Sequence, residues 1–89
     1  MAKKYRLAFS KEFTKDFKKL PPHEKPRVEE ALLLIKQDPY SARNLKKLTN
    51  VKIGQYRLRI GVLRIRFDIE GNTIQLLMVR HRKDIYRKK

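Results

Sequence analysis

Cysteine is absent from the 89-residue chain, so neither a disulfide framework nor a thiolate metal site is available. Two histidines, His23 and His81, cannot by themselves build a dedicated zinc site. Glycine occurs only three times. Gly54, Gly61 and Gly71 each fit a strand end or a turn, which leaves no glycine-rich phosphate loop. No apolar run approaches the ~20 residues of a membrane helix, and nothing resembles a signal peptide. A cytoplasmic protein with no membrane partner is the expectation. Acidic residues are scarce, nine against 24 Lys and Arg. A two-metal nuclease needs several converging carboxylates, and no obvious set exists here, so no metal and no cofactor are expected.

The excess of base over acid leaves a formal charge of +15. A surface charged to that degree attracts polyanions at long range and repels itself when compact. Nucleic acid, an acidic protein, or both are the partners it suits. The basic residues are spread along the whole chain, which implies a folded basic surface and not a disordered arm. Residues 1–89 are one domain by length, near the lower limit for an independent core.

Lys4–Phe9 reads as a short strand. Ser10 is a plausible N-cap, with Glu12 in the first turn of a helix. Phe13, Phe17 and Leu20 recur as its apolar stripe, and Pro21-Pro22 ends it. A second helix is expected from about His23 or Glu24 to Gln37, because Pro26 is tolerated only in a first turn. Val28, Ala31, Leu32 and Ile35 form its buried face, and Asp38-Pro39 stops it. Tyr40–Val51 lacks periodicity and reads as a connecting loop, with one helical turn around Ala42–Leu45.

Gln55–Ile60 and Leu63–Glu70 alternate apolar and polar residues across Gly61-Val62, a pair suited to a two-residue type II′ turn. Counting outward, Ile60 faces Leu63, Leu58 faces Ile65 and Tyr56 faces Phe67. On the other side Arg59 faces Arg64 and Arg57 faces Arg66. Gly71-Asn72 then leads into Thr73–Arg80, which places Ile74 opposite Ile69, Leu76 opposite Phe67 and Met78 opposite Ile65. By the same parity His81 falls on the arginine side. The fold class is therefore α+β, ordered β-α-α-β-β-β, with two helices packed on one face of an antiparallel sheet.

Like charges placed opposite each other destabilise a hairpin, so folding gives no reason for these arginines to gather, whereas an anionic ligand does. Arginine holds phosphate oxygens bidentately and keeps its proton, so it stabilises charge without acting as a base. A ribonuclease needs no metal with such a set, because the RNA supplies its own 2′-OH nucleophile. Arg57, Arg59, Arg64, His81, Arg82 and Tyr86 are the candidate catalytic residues, with His81 and Tyr86 available for proton transfer. Lys46, Lys47, Lys52, Arg66 and Lys83 are candidate nucleic-acid contacts. The ordinary role of such lysines is solvation, and Asp68 is expected to pair with a neighbouring arginine such as Arg66.

GQYRLRIGVLRIRFDIEGNTI followed by VRHRKDIY resembles the RelE/ParE superfamily of type II toxins, in its RelE-like branch. The resemblance spans essentially the whole chain, including the Leu20-Pro21 break and Asp38-Pro39. It implies a toxin of a toxin–antitoxin pair that acts as an mRNA interferase, an endoribonuclease cutting message on the ribosome. It also implies a cognate antitoxin, acidic or helical, that wraps the toxin, and a free toxin that is a monomer. By position, Arg57 and Arg59 match basic residues of the active-site strand, and Arg64 matches the central phosphate-binding arginine. Arg82 matches the basic residue after the last strand, Tyr86 the C-terminal tyrosine, and His81 the histidine of many members. Val62-Leu63 departs from the acidic and aromatic residues that often follow the turn glycine. ParE-like relatives share the fold and poison DNA gyrase instead, and a non-catalytic basic binding module is the other alternative.

Overall fold

The runs of alternating residues become strands, and the stripes at helical spacing become helices. The computed structural model describes residues 5–82. Its elements are β1 (Arg6–Phe9), α1 (Lys11–Lys19), α2 (Lys25–Gln37), a 3-10 turn (Pro39–Ser41), β2 (Leu45–Lys47), β3 (Tyr56–Ile60), β4 (Leu63–Glu70) and β5 (Thr73–His81). The strands form one sheet in the order β1-β5-β4-β3-β2. All neighbours are antiparallel except β1, which runs parallel to β5 at one edge.

Local chemistry sets the helix ends. The Ser10 hydroxyl accepts the Phe13 N–H at 2.9 Å, satisfying one of the donors a helix start leaves open. Glu12 lies in the first turn of α1 and Lys18 and Lys19 in the last, each favourable to the helix dipole. Pro26 sits in the first turn of α2, where its missing N–H costs nothing. Val28, Leu32 and Ile35 of α2 are buried together with Phe13 of α1. They pack with Leu58, Leu63, Ile65, Phe67, Ile74, Leu76 and Val79 from one face of the sheet.

Two expectations change. The helical turn lies at Pro39–Ser41, not Ala42–Leu45, because the Asp38 carboxylate accepts the Tyr40 N–H at 3.1 Å and caps it there. Leu45–Lys47, read as loop, instead forms β2 against β3, and the Leu48 N–H continues toward Gln55 O at 2.7 Å. Three residues carry no usable periodicity; the unpaired edge of β3 is what draws them into the sheet.

The third change is in β5. Phe67 faces Leu76 and Ile69 faces Ile74 as counted, but Arg66 faces Met78, so Leu77 is one residue too many and forms a bulge. Beyond it Val79, not Met78, faces Ile65, Arg80 faces Arg64, and His81 faces Leu63. The parity argument for His81 fails at this bulge. At the same point β1 ends and α1 begins. Ser10 donates its N–H to Leu76 O and its hydroxyl to Leu77 O, each at 3.0 Å.

Ser10→Ala removes the cap and the hydroxyl bond to Leu77 O, and leaves the backbone bond to Leu76 O. The expected loss is about 1–2 kcal/mol, read as a lower urea midpoint at unchanged slope. An Ala variant as stable as the parent would show that this junction contributes nothing.

Candidate nucleic-acid interface

The hairpin between β3 and β4 turns at Gly61, whose φ is +58°, while Val62 is not among the residues with positive φ. This is the type II′ pattern that holds strand register. Arg57 pairs with Arg66 and Arg59 with Arg64. β2 adds Lys46 beside Arg57, and the bulge brings Arg80 beside Arg64. The sheet face opposite the buried core therefore carries two basic rows, Lys46-Arg57-Arg66 and Arg59-Arg64-Arg80. Strands lie ~4.8 Å apart and the rows, two residues apart, ~6.8 Å.

The side chains in these rows are held differently. Arg64 is only 7% exposed and its Nη1 donates to Gly61 O at 2.9 Å and Leu63 O at 3.0 Å. The Arg66 Nε donates to Gly54 O at 2.7 Å. Arg59 is exposed. Arg80 is committed to α1, with its Nη2 2.7 Å from Glu12 and its Nε 3.1 Å from Asp16. Asp16 also accepts the Val79 N–H at 3.3 Å, filling an edge position that β1 no longer reaches. Among the described residues no carboxylate forms an ion pair with Arg59, Arg64 or Arg66.

Asp68 does not pair with an arginine as expected. Its two oxygens accept the N–H groups of Gly54 and Gln55 at 2.9 and 2.7 Å. Those donors precede β3 and would otherwise be left unsatisfied in a partly buried place. Asp68 and Arg66 thus grip Gly54 by its N–H and its C=O. A Cβ at Gly54 would meet Arg66 Nε and Leu77 Cδ1 at 3.3 Å, and its φ of +72° is one that glycine adopts without strain.

The remaining candidates fall in different places. The Arg82 N–H donates to Val62 O at 2.7 Å, which sets this exposed residue beside the Gly61 turn. His81, in register with Leu63, lines a cavity of about 500 Å³ with Asp16, Glu24 and Arg80. Lys47 is in register with Tyr56 and its Nζ lies 5.8 Å from that ring, so it turns away from the row that holds Lys46. Lys52 is exposed in the loop before β3. Lys83 and Tyr86 lie outside the described residues. Arg80 was not foreseen in the basic rows. Its one signal in the sequence is the unbroken apolar run Leu76–Val79, which has no alternation to fix parity. Among the described residues no three His, Asp or Glu side chains gather in a way that could hold a metal ion, and no helix is long and apolar enough to cross a membrane.

A family model described as the ParE toxin of the type II toxin-antitoxin system matches residues 7–86. The chain is 35% identical over 85 residues to Toxin RelE3 of Methanocaldococcus jannaschii, covering 91% of this chain and 94% of that one. Its fold is similar to that in the RelBE2 toxin-antitoxin complex of Mycobacterium tuberculosis, with a TM-score of 0.77 and 27% identity. That match covers 89% of this chain and 99% of the other. It is similar also to the RelB-RelE complex of Methanococcus jannaschii, with a TM-score of 0.71, 32% identity and coverage of 91% and 96%.

Replacing Asp68 by Ala strands two backbone donors, at an expected cost of about 1–3 kcal/mol. Amide hydrogen exchange at Gly54 and Gln55 should quicken before that of the β4 core. Unchanged exchange at both amides would show that the carboxylate does not hold this loop.

Proposed function

Because the chain belongs to the RelE/ParE superfamily of type II toxins, we propose that it is a ribosome-dependent endoribonuclease that cuts messenger RNA without a metal. The observation that carries this reading is the pair of basic rows, in which Arg59 and Arg64 face each other with no described carboxylate as partner. The name of the RelE3 relative adds to it. The RNA 2′-OH attacks the adjacent phosphorus, the P–O5′ bond breaks, and a 2′,3′-cyclic phosphate and a 5′-OH result. One proton leaves the 2′ oxygen and one arrives at the 5′ oxygen. Arg57, Arg59 and Arg64 neutralise the charge that builds on the phosphorane, an effect worth about 10²–10³ in rate for a single well-placed donor. Tyr86 is the proton carrier of this reading and Arg82 adds charge beside the turn, while His81, set on the other face by the Leu77 bulge, takes no step at that phosphate. Lys46 and Arg66 extend the row toward neighbouring phosphates, with Lys52 in the loop before β3 at its margin.

The partner in this reading is a cognate antitoxin, since the similar structures are complexes of a RelE-type toxin with RelB. At +15 the toxin suits an antitoxin segment of acidic character laid over the arginine face.

One observation favours a second reading: the matching family model is described as ParE. A ParE-like toxin acts on gyrase and has no use for the phosphate-binding rows as a nuclease site. Induced expression separates the two, with primer extension along a translated message for the wild type, Arg59→Ala and Arg64→Ala. Cuts at translated positions, reduced about 10²-fold or more by either substitution, are expected. Arg59 is exposed, so its loss leaves the core intact. Growth arrest with DNA damage and no cuts would replace the nuclease by the gyrase reading.

A further inference from the structure

The Gly61-Val62 turn is approached from the helix layer as well as from the sheet. A methyl group on Gly61 would lie 3.3 Å from Nη2 and 3.6 Å from Nη1 of Arg27. On the other side Arg64 donates to Gly61 O, and the Arg82 N–H donates to Val62 O. The turn is therefore flanked by a guanidinium of α2 and one of β4.

Among the described residues no ion pair holds Arg27 there. Arg27 occupies the first turn of α2, where a cation opposes the helix dipole. Glu24 and Glu30 stand three residues before and after it, a spacing at which helix ion pairs form, yet neither pairs with it. Glu24 pairs with His23 through Oε2 at 3.5 Å, and among the described residues its buried Oε1 has no hydrogen-bond partner, while Arg27 leans toward a turn already lined with positive charge. A cation placed against the dipole, unpaired with the carboxylates three residues to either side and next to other arginines, is placed for an anion.

We propose that Arg27 is a further phosphate-binding residue, gripping the RNA backbone one phosphate away from the one held by Arg59 and Arg64. This rests on the ribonuclease reading and enlarges its site from the sheet face around the turn onto α2. Gly61 is then required twice, for the backbone conformation and for leaving room for the guanidinium.

The test compares wild type with Arg27→Met, which keeps the aliphatic stem, Arg27→Lys, which keeps the charge, Arg64→Ala, and Lys36→Ala in the last turn of α2. Melting temperature, cleavage rate on translated message, and affinity for a single-stranded 2′-O-methyl RNA across a salt series are measured for each. That RNA has no 2′ proton to give and is not cut. Arg27→Met should slow cleavage and weaken RNA binding about 10-fold, lower the log–log salt slope by ~0.7, and melt with the wild type. Arg27→Lys should recover part of the loss, and Lys36→Ala should match the wild type. Arg27→Met indistinguishable from Lys36→Ala, while Arg64→Ala is inactive, would overturn the proposal and leave the ribonuclease reading standing. A wild type that cuts nothing, or Arg64→Ala that cuts at full rate, would overturn both.

Discussion

The edge of β5 changes partner halfway along its length, and much of the molecule follows from that change. From Thr73 to Leu76 the edge pairs with β1; from Val79 onward it is served by α1, through the Asp16 carboxylate. The Leu77 bulge marks the handover, and Ser10 closes it with two hydrogen bonds to the flanking carbonyls. A strand edge exposes a row of donors and acceptors that must be satisfied or protected. Here a helix side chain takes over where the neighbouring strand stops. The same bulge decides that Arg80, not His81, stands beside Arg64, so an edge-satisfying device also sets the composition of the basic rows.

The acids of α1 and of the sheet are taken up by structural contacts, whereas Arg59, Arg64 and Arg66 have no carboxylate partner among the described residues. Glu12 and Asp16 hold Arg80, Asp68 holds the backbone before β3, Glu70 accepts from Gln75, and Asp38 caps the 3-10 turn. Each of these ties fixes an element that carries or flanks the arginines. Only the Arg80 contacts among these are ion pairs; the exposed one, to Glu12, contributes about 1 kcal/mol or less, so its value lies more in position than in stability. Opposed arginines in adjacent strands cost a comparable amount each. A fold near the lower size limit for an independent core that keeps such pairs, and turns Arg27 toward them, carries like-charge contacts that its own stability does not require.

Much of the fold was legible because its signals are local. Alternation in β3 and β4 and the Gly61-Val62 turn yielded all five cross-strand pairs of that hairpin. Ser10, Pro26 and Asp38 marked helix boundaries by the hydrogen bonds each can or cannot make. β2 was missed because three residues have no period. His81 was misplaced because Leu76-Leu77-Met78-Val79 is apolar throughout and cannot reveal an extra residue. Lys47 was grouped with Lys46 although adjacent strand residues face opposite ways.

The sequence by itself determined the two helices, the central hairpin and its register, the superfamily, and the presence of arginines facing arginines. All of these depend on residues within a turn or two of one another, whose spacing carries the physics. The tertiary structure alone decided which edge β1 joins, where β5 bulges, that Asp68 serves a loop and not an arginine, and that Arg27 reaches Gly61. Those outcomes depend on backbone groups left unsatisfied at element edges and on side chains meeting across layers. Neither leaves a period along the chain.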